Sequence, residues 1–197
     1  MSTKVIDSEG WIKSFVNSEK ICSPNFDNRP HNIKISLVVI HCISLPAGKF
    51  GGKEVENLFL NKLNTSIPEF QKLSSLKVSS HFFIRRDGSI IQFVSIDKRA
   101  WHAGDSIFFG KTNCNDFSIG VELEGTESTK FEREQYLSLL TIIETLSNKL
   151  PFLNAITSHE YIAPKRKTDP GPFFDWNFLK KKFQELSISC EIFSKKN

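Results

Sequence analysis

The spacing of hydrophobic and polar positions changes character several times along the chain, and each change predicts an element. Ile35 to Ile43 (ISLVVIHCI) is a nearly unbroken β-branched run, the pattern of a strand buried on both faces of a sheet covered by helices. It is placed at the sheet centre. Val78 to Arg85 and Ser89 to Ser95 are strand-like runs divided by Arg86-Asp87-Gly88, and a D-G pair between such runs predicts a β-hairpin. Phe117 to Glu124 (FSIGVELE) predicts another strand and Ile156 to Glu160 a short one. Elsewhere the spacing becomes helical. Val55, Leu58, Phe59 and Lys62 predict a short helix over 54–63. Tyr136, Leu139, Leu140, Ile143, Leu146 and Leu150 predict a longer one, with one stripe packed on the sheet. Its start is assigned to the T-x-x-E box from Thr129 to Glu132, and its end to about Lys149. After Pro170-Gly171-Pro172, Asp175 caps a last helix with Trp176, Leu179, Phe183 and Leu186 on its buried face.

Alternating strands and helices, without a repeat or low-complexity linker, imply one α/β domain: a central mixed β-sheet flanked by helices. The boundaries are read as an N-terminal arm over 1–34 packed on the domain, the domain itself over 35–187, and a C-terminal tail over 188–197. At 197 residues, with 39% hydrophobic positions and 18 Phe, the chain suits one domain with a substantial core and excludes general disorder. Charge narrows the partners. Lys plus Arg at 26 against Asp plus Glu at 22 gives +4, dispersed along the chain, and the Lys180 to Lys182 run reads as a solvated helix face. No nucleic-acid partner is expected. The first twenty residues lack the apolar stretch of a signal peptide and no segment has the length of a membrane span, so a cytoplasmic protein without a membrane partner is expected. Cys22, Cys42, Cys114 and Cys190 form no C-x-x-C pair, which fits reduced thiols.

Candidate chemistry starts from the histidines, His31, His41, His81, His102 and His159. Imidazole is the commonest metal ligand and the usual general base near neutral pH. His41 and His159 each end a strand-like run, where α/β sheets place their ligand sites; the alternative for either is a hydrogen-bonded core histidine. His159-Glu160-Tyr161-Ile162-Ala163 lacks the second histidine of H-E-x-x-H, and neither G-x-S-x-G nor the phosphate-binding G-x-x-x-x-G-K-[ST] occurs. Metal or carboxylate chemistry remains.

Several blocks, in order, resemble the AmpD family of bacterial zinc amidases. They are Ser23 to Asp27 (SPNFD), Val39-Ile40-His41, Phe50-Gly51-Gly52, Val78 to His81 (VSSH), Ile84 to Gly88 (IRRDG), Lys98 to Gly104 (KRAWHAG), Cys114 to Gly125 (CNDFSIGVELEG) and Arg166 to Pro172 (RKTDPGP). Members of this family are cytosolic N-acetylmuramoyl-L-alanine amidases that cut the lactyl-to-L-alanine amide of 1,6-anhydro-muropeptides in peptidoglycan recycling. The resemblance implies a Zn2+ cofactor held by His41, His159 and Asp169, a ligand set that leaves one position open for water. It implies Glu122 as general base and Lys167 as partner of the oxyanion. It also implies substrate contacts at Cys42, Lys77, Trp101, Asn113, Ala163 and Arg166, with the indole of Trp101 along the groove. His81 and His102 are expected to support the pocket by hydrogen bonds, outside the ligand set.

This sequence departs from the family pattern in three places. Cys42 stands where Asn is usual, Asn113 where a basic residue is usual, and Lys77 where Arg is usual. Lysine lacks the bidentate fork for a carboxylate, so altered selection of the stem peptide is expected with the hydrolytic core retained. Neighbouring strand residues point to opposite faces, so Cys42 is not expected to join His41 on one ion. Two other readings use the same fold: a non-catalytic muropeptide sensor, disfavoured by the retained Glu122, Lys167 and ligand set, and a lytic amidase acting on intact wall. A monomer acting on an anhydro-muropeptide is expected.

Overall fold

A computed structural model describes residues 5–13, 15 and 17–195; the other positions of the expected arm and tail lie outside the described residues. The strands are β1 (Ser18–Lys20), β2 (Phe26–Asn28), β3 (Leu37–Ile43), β4 (Phe82–Ile84), β5 (Ile90–Gln92), β6 (Lys98–Ala100), β7 (Ile107–Phe108), β8 (Lys111–Thr112), β9 (Ser118–Glu124), β10 (Ala155–Ser158) and β11 (Glu191–Phe193). The α-helices are α1 (Glu54–Phe59), α2 (Arg133–Lys149), α3 (His159–Ile162) and α4 (Trp176–Leu186). Seven strands form one sheet in the order β1-β5-β4-β9-β3-β10-β11. From β4 through β9, β3 and β10 to β11 all neighbours are parallel; β5 runs antiparallel to β4, and β1 parallel to β5. This is the mixed α/β sheet that the alternation implies.

The two longest strands, β3 and β9, lie side by side in its middle. All of β9 is buried, as are the first five residues of β3, because the sheet is covered on both faces. On one face Val38, Ile40, Ile119, Val121 and Leu123 pack against Leu139, Ile143 and Leu146 of α2 and Leu179 and Phe183 of α4. On the other, Leu37 and Val39 meet Ala103, Phe117 and Ile162, while Phe83 and Ile91 meet Val55, Leu58 and Phe59. Each such Val, Leu, Ile or Phe side chain contributes about 1.5–3 kcal/mol when fully buried. The chain ends also enter sheets: Ser18–Lys20 pairs with Ile90–Gln92, Phe26–Asn28 with Lys98–Ala100, and Glu191–Phe193 with Ala155–Thr157.

Local boundaries differ from expectation for identifiable reasons. The hairpin forms, but only over Phe82–Ile84 and Ile90–Gln92; upstream, the N–H of Ser79 bonds to the Trp101 carbonyl instead. Helix α2 is capped by Glu132 with Gln135 in the reciprocal box, three residues later than expected. The Thr129 hydroxyl is taken by the N–H of Thr126 in the preceding turn. Gln135, fully buried, donates to the carbonyls of Ile84 and Glu124 and thereby ties the helix start to β4 and β9. The strand expected to reach Glu160 ends at Ser158, whose hydroxyl accepts from the Tyr161 N–H and starts α3 at His159. Asp175 caps α4 as expected, accepting from Phe178 N–H at 2.8 Å. Leu186 at the end of that helix is exposed, and Trp176 and Phe178 pack on the core beside Leu179 and Phe183.

Candidate metal centre and active site

Three neighbouring parallel strands deliver the site at their carboxyl ends, the usual place for ligands in such sheets. His41 on β3 and Glu122 on β9 are direct register partners, so both side chains leave the face opposite α2 and α4. On the other side of β3, Ser158 is level with Ile40, which brings His159 beside His41. Asp169 arrives on the loop after α3, where its carbonyl accepts the Glu160 N–H at 3.0 Å. Gly171 follows with φ +85, and a Cβ there would stand 2.6 Å from the Cα of Glu127. Only glycine lets the two loop backbones approach this closely. Ala163 contributes its carbonyl, which accepts from the N–H groups of both Arg166 and Lys167.

His41 Nδ1, His159 Nδ1 and Asp169 Oδ2 form a triangle with edges of 2.9, 3.1 and 3.2 Å. Each imidazole turns its other nitrogen outward, His41 Nε2 to His102 Nδ1 at 2.9 Å and His159 Nε2 to the Ala103 carbonyl at 3.0 Å. A carbonyl only accepts, so His159 carries its proton on Nε2 and presents a bare Nδ1. Burial, then the neighbouring His159, pushes His41 down to about 4, so its ring is neutral near pH 7. A carboxylate oxygen and inward imidazole nitrogens at such distances repel unless a cation lies among them. The residues therefore fit a divalent metal ion, with the outer hydrogen bonds that orient metal-bound histidines already made.

Glu122 faces the same space. Its Oε2 is buried and finds no hydrogen-bond partner among the described residues; Arg29 Nε and Ser80 Oγ share that condition but do not line this pocket. Burial, then repulsion from Asp169, raises its carboxyl well above the usual glutamate value, with Lys167 opposing. An ionisable group shifted in this way inside a cleft is suited to proton transfer near neutral pH.

These groups line one cavity of about 650 Å³, together with Cys42, Lys77, Trp101, His102, Asn115, Glu127, Arg166, Lys167 and Thr168. That volume accommodates a ligand of several hundred daltons. Lys77 is exposed at the rim and Trp101 is half-buried. The Arg166 guanidinium donates to the carbonyls of Ala103 and Asp105 at 2.6 and 2.8 Å. Cys42 packs partly against the helix-side core; burial, then Glu122 and Asp169, pushes its thiol up, so it stays protonated. Asn113 and Ala163 do not line the cavity. Asn113 instead holds a left-handed turn with φ 56, a conformation asparagine tolerates.

Sequence reasoning missed the parts of Asn115 and Glu127. The Asn115 side chain accepts from the N–H groups of His102 and Ala103 at 3.1 and 2.8 Å, and Glu127 accepts from the Thr168 hydroxyl at 3.0 Å. Asn115 lies inside a quoted block and was legible there; Glu127, in a polar turn, carries no local signal. His81 is a satisfied core histidine, accepting from Gly120 N–H and bonding to the Lys98 carbonyl, each at 3.0 Å.

The N-acetylmuramoyl-L-alanine amidase family profile (Amidase_2) matches residues 31–172, a span that holds His41, Glu122, His159, Lys167 and Asp169. The chain belongs to the N-acetylmuramoyl-L-alanine amidase family. This amidase is 46% identical over 174 residues to the 1,6-anhydro-N-acetylmuramyl-L-alanine amidase AmpD of Salmonella typhimurium (strain SL1344), covering 87% of this chain and 91% of the relative. It is 45% identical over 170 residues to AmpD of Escherichia coli (strain K12), covering 85% and 91%. Among solved structures, that of a Se-Met AmpD derivative matches the amidase with a TM-score of 0.84 at 45% identity, covering 89% of this chain and 97% of the other. The AmpD resemblance carried by the sequence blocks is borne out. No helix among the described residues of this amidase is long and apolar enough to cross a membrane.

Proposed function

We propose that this amidase hydrolyses the amide between 1,6-anhydro-N-acetylmuramic acid and L-alanine of muropeptides released in wall turnover, as a cytoplasmic, zinc-dependent monomer of peptidoglycan recycling. The observation that carries the reading is the inward-facing triangle of His41, His159 and Asp169 beside the unpaired Glu122 oxygen, in a chain so similar to the AmpD amidases. Four free cysteines fit a reducing compartment.

When bound by His41, His159 and Asp169, zinc supplies a Lewis acid that acidifies water and polarises an amide carbonyl. Glu122 Oε2 accepts a proton from the attacking water and passes it to the leaving L-alanine nitrogen. Its raised pKa gives it basicity matched to that task. Lys167, whose charge bears on both His41 and Glu122, stands by the carbonyl oxygen as negative charge develops there. Trp101 offers its indole to the sugar ring, and Lys77 and Arg166 place positive charge towards stem carboxylates. With Cys42 at the wall, a weak hydrogen-bonding group replaces the amide usual in the family.

The test is mass spectrometry of purified protein with anhydro-muropeptides, with a chelator arm and zinc add-back. Release of free stem peptide that stops with chelator and returns with zinc is expected. Measurable binding with intact substrate in every arm would favour a sensor, and faster cleavage of intact sacculi than of soluble muropeptides would favour a lytic amidase.

A further inference from the structure

We propose that His102 is a positioning residue of the metal centre: it fixes the ring tautomer of His41, so that His41 Nδ1 faces His159 and Asp169 as a bare lone pair before any ion arrives. The inference rests on the metal-site reading above and concerns how this chain prepares that site.

The direction of each hydrogen bond follows from the far end of a chain of partners. The Cys114 carbonyl can only accept, and it takes the hydroxyl proton of Ser118 at 2.6 Å. Serine has one such proton, so Ser118 Oγ turns a lone pair to His102 Nε2 at 3.2 Å, and His102 donates from that nitrogen. The buried ring has no carboxylate among its partners and is neutral, with one proton to place. Its Nδ1 is left as an acceptor and takes the proton of His41 Nε2 at 2.9 Å. The remaining nitrogen of His41, Nδ1, is bare.

The two imidazoles of the centre thus need different devices. His159 is set by a backbone carbonyl, which has no choice of role. His41 is set by another imidazole, which could donate or accept, and only the serine and carbonyl behind it remove the ambiguity. The ring of His102 is also held in place sterically. It lies over Gly120 of β9, where a Cβ would stand 2.5 Å from its Cγ, and Asn115 pins the backbone on either side. Ser118 and Gly120 share the sheet face of Glu122, so one strand carries both the unpaired carboxylate and the support for His102.

The experiment compares wild type with His102→Leu, His102→Asn and Ser118→Ala. Long-range 1H–15N NMR of the histidine rings in zinc-free protein reads the tautomer, and competition with a chromogenic chelator reads zinc affinity. Wild type is expected to show His41 as the Nε2–H form. His102→Leu removes the acceptor and should weaken zinc binding by about 10- to 100-fold, with loss of the single tautomer. Ser118→Ala should weaken it by about threefold to tenfold. In His102→Asn the amide oxygen can stand in for Nδ1, so affinity within about threefold of wild type is expected. The proposal is overturned if His102→Leu keeps both affinity and the Nε2–H signal, or if His102→Asn binds as weakly as His102→Leu at equal melting temperature. Should His102→Leu fail to fold, Ser118→Ala, which removes one oxygen, decides by the same two readouts. Wild type that takes up no zinc would sink the metal reading instead, and the zinc-free tautomer would still decide the relay.

Discussion

Ile40 and His41 are neighbours on one strand, 0% and 1% exposed, yet they are buried by different physics. Ile40 points to the α2 and α4 face, where contact area is enough and any well-fitting apolar neighbour serves. His41 points to the other face, where each polar atom needs a partner in the right direction and at the right distance. The helix side tolerates exchange of side chains of similar volume. The site side depends on specific chemistry contributed by β3, β9, α3 and the loops around them, and it leaves one carboxylate oxygen of Glu122 unpaired where a reaction can use it.

The largest effect expected is loss of the proposed metal ligands. Asp169→Ala, or chelation of the wild type, should lower amide hydrolysis by about 10³-fold or more, since metal catalysis supplies several kcal/mol; comparable turnover with and without chelator would remove the distinction between the two faces. Glu122→Gln should cost about 10²- to 10⁴-fold in kcat. The same variant has a pH signature in zinc-free protein. Burial, then Asp169, raises the folded pKa of Glu122 above its unfolded value. As pH rises above the usual glutamate range, the unfolded chain releases this proton while the folded chain holds it, so wild-type stability falls until the folded pKa is passed. Glu122→Gln escapes that loss. It should match wild type near pH 4 and exceed it at pH 8 by about 1–3 kcal/mol, read as about 2–4 °C in Tm per kcal/mol.

On the helix face the order of effects reverses. Leu139→Ala should destabilise by about 2–5 kcal/mol while kcat per folded molecule stays within about twofold. A change in kcat without a change in Tm would show that the faces are not separable. Smallest is Lys77→Ala at the pocket rim: a loss of up to about fivefold in kcat/KM on substrates with stem carboxylates and none on those without, as expected for an exposed charge. Equal losses on both would exclude Lys77 from stem selection.

The helix side was largely legible in the sequence. The stripe from Tyr136 to Leu146 is core, β3 lies in the middle of the sheet, and Asp175 caps α4. What failed there failed because tertiary partners overrode a local pattern. Thr129 looked like a helix cap, but its hydroxyl closes the Thr126 turn, while buried Gln135 anchors the true start to β4 and β9. Leu186 matched the helical stripe but lies in the last turn, beyond the core's reach, before Ser187 turns left-handed with φ 55. On the site side, composition and spacing pointed only to histidines at strand ends; the ligand set, Glu122 and Lys167 came from family blocks.

Taken alone, the sequence determined which segments bury apolar area, that they alternate into a mixed α/β sheet, and which family's blocks the chain carries. Those properties are local, because periodicity acts over a few residues. Only the tertiary structure decided that nitrogens 118 residues apart in sequence stand 2.9 Å from each other and that the Glu122 oxygen is left unpaired. Hydrogen-bond direction and desolvation depend on whatever groups the fold brings within a few ångströms. Ser118 and Cys114 can fix the proton of His41 only because the strands and loops between them close into one site.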